Sequence, residues 1–158
     1  MNHETCPEIE IAIARYFNTR INIIVPNIFW GLDIQHECDL FILTKTGYCY
    51  EVEIKISISD LKADLKKRHG HKSKSLRRLY FALPEKLFPI CIEFIPDHAG
   101  ILSVHQNGGV YKIREAKLNN DAIKLNTDKQ IKLGLLASMR MWNLKSKILK
   151  QGVNIESI

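Results

Sequence analysis

The sequence has no long hydrophobic run, no internal repeat and no low-complexity tract. Because no apolar run approaches the ~20 residues that span a bilayer, we expect neither a membrane-spanning helix nor a membrane partner. The first seven residues contain neither a basic region nor an apolar stretch, which predicts no secretory signal and a cytoplasmic location. Since no Gly/Ser-rich linker divides the 158 residues, we predict one domain over residues 1–158.

Cysteine motifs for disulfides or zinc are also missing. None of the four cysteines forms a CxxC pair, and their spacings match no zinc ribbon or finger. Because we predict no export signal, we interpret all four as reduced thiols. The cysteines are Cys6, Cys38, Cys49 and Cys91.

What the sequence does have is a concentrated positive charge. Lys and Arg number 23 and Asp and Glu 17, which gives a net charge of +6. Residues 60–78 alone hold eight basic and two acidic residues, a net +6, so the remaining 139 residues (15 basic, 15 acidic) balance to zero. Such a local field favours a polyanion, such as nucleic acid, as the partner. A solvated helix followed by a basic loop is the plainer alternative.

Hydrophobic periodicity predicts an α/β fold with a mixed sheet. With 46% hydrophobic residues, the chain has enough apolar side chain to form a core. A turn at Gly47 is expected to join the second and third strands as a hairpin. The predicted elements are a helix over 7–17, strands over 21–30, 36–44 and 48–58, a helix from the N-cap Ser59 to about Arg68, a strand over 78–83, a short helix over 85–90, strands over 99–104 and 110–114, and a helix over 129–150.

The third predicted strand has two unlike faces. Val52, Ile54, Ile56 and Ile58 alternate with Glu51, Glu53, Lys55 and Ser57. We expect the aliphatic face to be buried and the charged face to line a cleft or to meet water. Glu53 and Lys55 have Cα atoms ~6.5–7 Å apart on one side, so both can act on one small target. The alternative is a surface ion pair, which contributes ~0–1 kcal/mol and needs no function.

The second predicted strand supplies a further carboxylate. In the hairpin, Asp39 can lie near Glu53, and Glu37 shares the face of Asp39. Carboxylates held close together repel each other unless a cation neutralises them. Oxygen ligands suit Mg²⁺ or Mn²⁺, and a neighbouring lysine can orient a water or stabilise charge on a phosphate.

Together these residues resemble the PD-(D/E)xK nuclease superfamily. Asp39 is followed fourteen residues later by Glu53-Ile54-Lys55. The predicted element order is similar to the restriction-endonuclease-like αβββαβ core of that superfamily, with a mixed central sheet flanked by helices. Residues 51–64, 78–84 and 96–102 look most like the MmcB-like DNA repair branch, and the resemblance covers roughly residues 8–150. Cys38 stands where the superfamily often has a proline.

The resemblance implies a metal-dependent DNA endonuclease that hydrolyses phosphodiester bonds in DNA repair or processing. It implies that Asp39, Glu53 and the backbone carbonyl of Ile54 hold Mg²⁺ or Mn²⁺, and that Lys55 is the catalytic lysine. A glutamate from the first helix often completes such sites. Glu10 is our choice, with Glu8 as the neighbouring candidate and Glu37 as another extra ligand.

The partner expected for this activity is DNA, and a homodimer is one possible assembly. No base-reading motif is visible, so we expect backbone contacts that are structure-specific or nonspecific. A non-cleaving DNA-binding module on the same fold, and an interaction domain without a nucleic-acid role, are the alternatives. The predicted DNA contacts are Ser57, Lys62, Lys66, Lys67, Arg68, His69, His71, Lys72, Lys74 and Arg77.

Other polar and aromatic residues receive structural interpretations. Asp60 and Asp64 are expected to serve as helix-cap and helix-surface residues rather than ligands. Large aromatic side chains are expected in the core rather than as stacking platforms for bases. These are Tyr80, Phe81, Trp30 and Trp142.

Overall fold

The computed structural model describes residues 6–29, 31, 32, 34, 36–66 and 73–152. The chain divides into two compact units, Met1–Leu125 and Asn126–Ile158. A single domain over 1–158 therefore stays a prediction. None of the helices in the described ranges combines the length and the hydropathy needed to cross a membrane.

The predicted order of helix, three strands, helix and strand is confirmed in the first unit. A hairpin of two further strands follows, as predicted, and the long helix forms the second unit. The elements are α1 (Cys6–Tyr16), β1 (Ile23–Ile28), β2 (Cys38–Leu43), β3 (Cys49–Ile54), α2 (Ile58–Leu65), β4 (Leu76–Pro84), α3 (Phe88–Cys91) with a 3₁₀ turn (Ile92–Phe94), β5 (Gly100–Val104), β6 (Val110–Arg114) and α4 (Thr127–Lys150).

The six strands form one mixed sheet in the order β1-β2-β3-β4-β5-β6. The β2–β3 hairpin is antiparallel, with Leu40 opposite Val52, and Gly47 turns it with a φ of 86°. β3 and β4 are parallel, with Glu53 opposite Phe81, and α2 makes the crossover between them. The carboxyl ends of β3 and β4 therefore lie at the same edge of the sheet.

Helices cover both faces of this sheet. On one face, Ile9 and Ile13 of α1 pack against aliphatic side chains of the central strands. On the other face, Leu61 of α2 and Cys91 of α3 pack against Phe81 and its neighbours. Because both faces are covered, the central strands are buried on both sides, as parallel pairs usually are.

The end of β3 differs from the prediction. The strand stops at Ile54, Ile56 is exposed, and Ile58 begins α2. Ser57, not Ser59, is the N-cap, because its Oγ accepts the backbone N–H of Asp60 at 3.1 Å. The alternation of the sequence continues past this point, but a serine that satisfies a free N–H of the first turn ends the strand.

The aromatic expectations are partly confirmed. Tyr80 and Phe81 are buried, whereas Trp142 in α4 is 60% exposed, so its predicted core position is wrong. Helical spacing identifies which residues share a face, but it does not show that a partner covers that face. Trp30 lies outside the described residues.

Candidate active site

Asp39 is fixed to the end of β3 by a backbone hydrogen bond. The N–H of Ile54 donates to Asp39 Oδ2 at 2.7 Å. This contact brings the carboxylate from the beginning of β2 to the point where β3 ends. The predicted proximity of the two strand ends is therefore present in the structure.

Lys55, the residue after β3, has three carboxylates around its ammonium group. Its Nζ donates to Glu53 Oε2 at 2.8 Å, and it lies 3.5 Å from Asp64 Oδ1 and 3.9 Å from Asp39 Oδ2. We call Asp39, Glu53, Lys55 and Asp64 the carboxylate–lysine cluster. The structure thus brings together the three residues predicted to be catalytic and places one more carboxylate, that of Asp64, beside them.

Most of this cluster is shielded from solvent. Glu53, Lys55 and Asp64 are at most 4% exposed, whereas the side chain of Asp39 is 31% exposed. The expectation that the charged face of β3 meets water is wrong, and so is the alternative of a surface ion pair, because Glu51, Glu53 and Lys55 are buried. That this face lines a cleft stays a prediction. The cluster reaches solvent at Asp39.

The cluster holds three carboxyl groups and one ammonium group, and this excess of acids shifts their pKa values. Burial, followed by the charge of Asp39, raises the pKa of Glu53 to about 8, although Lys55 opposes this. Burial also raises the pKa of Asp39. Burial alone would lower the pKa of Lys55, but Glu53, Asp64 and Asp39 together raise it, so the ammonium stays charged.

The donor set fits a hard divalent cation. Three carboxylates surround one ammonium, so their full ionisation leaves negative charge that a cation would neutralise. Carboxylate and carbonyl oxygens are the ligands that Mg²⁺ and Mn²⁺ prefer. Asp39, Glu53 and the Ile54 carbonyl would be the residues to hold such an ion.

Asp64 is the member of the cluster that sequence reasoning missed. Its predicted place on the helix surface is wrong, because it is buried and faces Lys55. The signal was present in the spacing of α2. Asp64 lies three residues after the fully buried Leu61, and residues three apart share a helix face.

The predicted glutamate from the first helix lies near the cluster. Glu10 is half-buried, and the Cys6 thiol donates to its Oε1 at 3.8 Å. Burial raises the pKa of Glu10, and the charge of Asp39 raises it further. Glu8 and Glu37 are exposed. A ligand role for any of the three stays a prediction.

A second group of donors lies beside the cluster. His36, Cys38 and Glu51 are buried, and their donor atoms all lie within 4.8 Å of one another. This His–Cys–Glu group could hold a metal ion. Cysteine spacing gave no sign of it, because its other two donors are a histidine two residues upstream and a glutamate of the neighbouring strand.

Comparison with known proteins identifies the family. A family model described as DNA repair protein MmcB-like matches residues 3–146. The chain belongs to the MmcB-like family. Among solved structures, this MmcB-like chain is similar to the SPO1766 protein of unknown function from Silicibacter pomeroyi. The identity is 19% and the TM-score 0.65, over 99% of this chain and 100% of that chain, which shows the mixed α/β fold alone. No curated protein matches the sequence.

The predicted DNA contacts of the MmcB-like chain are only partly described. Ser57 caps α2, Lys62 lies over the ring of Phe94 at 4.6 Å, and Lys66 is exposed at the end of α2. Their contacts with DNA stay predictions. Five further predicted residues lie outside the described part of the chain: Lys67, Arg68, His69, His71 and Lys72.

The last two predicted contacts, Lys74 and Arg77, line a cleft of about 450 Å³ beside the amino end of β4. The Arg77 guanidinium lies 4.1 Å above the ring of Tyr48. His98 and Lys117 line the same cleft although they are distant in sequence, so the charged segment 60–78 did not reveal them. One carboxylate, that of Asp121, lines the cleft as well, and because the cations outnumber it we call this cleft the basic cleft. Its basic lining residues are Lys74, Arg77, Arg78, His98 and Lys117.

Proposed function

We propose that this MmcB-like protein is a metal-dependent DNA endonuclease of the PD-(D/E)xK type, with a restriction-endonuclease-like core, that acts in DNA repair. The observation that carries the proposal is the position of Lys55 among Asp39, Glu53 and Asp64. Burying acids and a lysine together costs desolvation free energy, which lowers the stability of the fold. A module that only binds DNA gains nothing from such a cluster, whereas perturbed buried acids are typical of active sites. The description of the family supports DNA repair as the context.

In this proposal the acids at the ends of β2 and β3 hold the ion. Asp39, Glu53 and the Ile54 carbonyl would bind Mg²⁺ or Mn²⁺, with Glu10 as the ligand from α1. When bound, such an ion polarises a phosphate and lowers the pKa of a water. Asp39 is the member open to solvent, so substrate phosphate would approach from its side.

Lys55 would orient the attacking water and stabilise negative charge that develops on the phosphate. The ammonium needs to stay in place when Glu53 binds an ion. Asp64, 3.5 Å away, supplies a partner for it at that moment. Asp64 is therefore a positioning residue in this proposal, and it acts through Lys55.

DNA binding would come from exposed cations rather than from the buried cluster. Lys62 and Lys66 on α2, and Lys74 and Lys117 in the basic cleft, are exposed. Phosphate contacts of this kind are independent of base sequence and weaken as salt is added. Supercoiled, single-stranded and branched DNA are therefore all reasonable substrates to test.

The test is cleavage of these three DNA forms with Mg²⁺ or Mn²⁺, and with a chelator as the blank. Lys55→Ala and Asp39→Asn should abolish cleavage and retain DNA binding. Lys45→Ala and Asp97→Asn are matched controls, because both residues are exposed and outside the cluster. Wild-type protein that binds DNA but never cleaves it, or variants that cleave as the wild type does, would overturn the proposal.

A further inference from the structure

The His–Cys–Glu group combines three kinds of donor atom in one small volume. His36 Nε2 lies 2.5 Å from Glu51 Oε1 and 3.8 Å from Cys38 Sγ. All three side chains are buried. His36 lies two residues before β2, Cys38 is the first residue of β2, and Glu51 comes from the paired strand β3.

The arrangement differs from that of a nucleophilic cysteine. In a Cys–His–carboxylate triad, one ring nitrogen faces the thiol and the other faces the carboxylate. Here the same Nε2 of His36 faces both Cys38 and Glu51. The three donor atoms therefore form one cluster rather than a relay chain, and a single ion could take all three as ligands.

The two known separations from His36 Nε2 can be compared with those of a tetrahedral zinc site. With metal–ligand distances of about 2.0–2.3 Å, neighbouring ligand atoms are roughly 3.3–3.7 Å apart. The sulfur–nitrogen distance of 3.8 Å is already near this range, and the nitrogen–oxygen distance of 2.5 Å would have to widen by under about 1 Å. Because His36 precedes β2, it can move without breaking the sheet.

The donor types select among metals. Thiolate and imidazole are ligands for Zn²⁺ and other late transition metals, whereas Mg²⁺ and Mn²⁺ prefer oxygen alone. We propose that His36, Cys38 and Glu51 form a Zn²⁺ site with one position left for a water, distinct from the carboxylate–lysine cluster. The site ties the segment before β2 to β3, next to Asp39 and Glu53, and it does not rest on the proposed nuclease activity.

The test uses full-length protein treated with a chelator and then titrated with Zn²⁺, and separately with Co²⁺ as a spectroscopic probe. The wild type should bind one Zn²⁺ that Cys38→Ser does not bind at the same Zn²⁺ concentration, and Co²⁺ at the same site should give a sulfur-to-cobalt charge-transfer band. Cys38→Ser should lose that band and bind Zn²⁺ at least about tenfold more weakly. Cys49→Ser is the matched control, because Cys49 is equally buried and lies outside the group, and it should keep both signals.

Two further variants distinguish loss of the metal site from loss of the fold, and metal bound at the His–Cys–Glu group from metal bound at the carboxylate–lysine cluster. His36→Gln leaves every thiol in place, so its loss of Zn²⁺ affinity with unchanged circular dichroism also supports the site. Asp39→Asn should keep the thiolate band even where it abolishes cleavage. Zn²⁺ affinity that is equal in wild type, Cys38→Ser and His36→Gln, or a band that disappears with Asp39→Asn, would overturn the proposal.

Discussion

The two ends of the β3–β4 pair carry opposite charge in opposite surroundings. At the carboxyl end, Asp39, Glu53 and Asp64 surround Lys55, mostly away from solvent. At the amino end, the basic cleft presents cations to solvent, among them Lys74. The buried acids perturb one another, whereas the cations of the cleft are largely screened by water.

Each end of the β3–β4 pair suits a different task. Buried charges must be neutralised inside the molecule, by Lys55 or by a bound cation, so the carboxyl end suits chemistry. Exposed charges act at a distance and can attract a polyanion without ordering it, so the amino end suits binding. Arg77 adds a stacking contact there with Tyr48.

Substitutions at the carboxyl end should change the rate of cleavage most. Glu53→Gln should lower kcat for DNA cleavage on the order of 10³-fold, as the loss of a strong electrostatic contact in a transition state does. DNA affinity measured by fluorescence anisotropy should stay within a factor of about two, because Glu53 is buried and the proposed DNA contacts are exposed cations elsewhere. A loss of affinity that matches the loss of rate would place binding and chemistry at the same end.

Charge reversal in the basic cleft should have the complementary effect. Lys74→Glu with Lys117→Glu should weaken DNA binding and reduce the slope of log affinity against log salt by about two, since each phosphate contact contributes about 0.9. The rate at saturating DNA should change much less than the affinity does.

Lys45→Glu with Lys86→Glu makes the same change of net charge on exposed residues outside the cleft. This control pair should alter the salt slope less than the cleft pair. Equal slopes for the two pairs would show that overall charge, rather than the cleft, attracts the DNA.

The pKa of Glu53 predicts a dependence of stability on pH. The folded pKa of about 8 lies above the ordinary 4.5, so the protonated carboxyl stabilises the fold below about pH 4.5 and this contribution is lost as the pH rises through about 8. In chelator-treated protein, the Tm of wild type should therefore fall relative to that of Glu53→Gln over this range. Added Mg²⁺ should restore it at high pH. A difference in Tm that is independent of pH would contradict the shifted pKa.

The smallest effect concerns the start of α2, the helix that brings Asp64 to Lys55. Ser57→Ala should reduce the free energy of unfolding by about 1 kcal/mol, because the N–H of Asp60 loses its acceptor. Ser59→Ala is the matched control and should cost less, since Ser59 is not the N-cap. Urea denaturation of both variants measures this, and a larger loss for Ser59→Ala would place the cap where the sequence predicted it.

The element order and the hairpin at Gly47 follow from local patterns, which is why the sequence predicts them. Alternation marks β2 and β3, and a glycine with positive φ suits the turn between them. The sequence does not predict where β3 ends, because Ser57 and Ser59 are equally suitable N-cap residues. The structure shows that Ser57 is the N-cap.

The sequence predicts the positions of site residues that lie on the paired strands β2 and β3. It does not predict the positions of those that lie on other parts of the chain. Asp39, Glu53 and Lys55 can be placed from hairpin register alone. Asp64 reaches Lys55 only through the packing of α2, and His36 lies outside the strands, so its contact with Glu51 does not follow from their register. Burial of the charged face was missed because it depends on α2 covering the end of the sheet.

In the proposed mechanism, Asp39 and Glu53 together bind a divalent metal beside Lys55. The most direct test is anomalous X-ray diffraction at the manganese edge from crystals soaked in Mn²⁺. We predict a peak within bonding distance of the Asp39 and Glu53 carboxylates and the Ile54 carbonyl. A fully occupied peak at another place only, or no peak near these oxygens at saturating Mn²⁺, would contradict it.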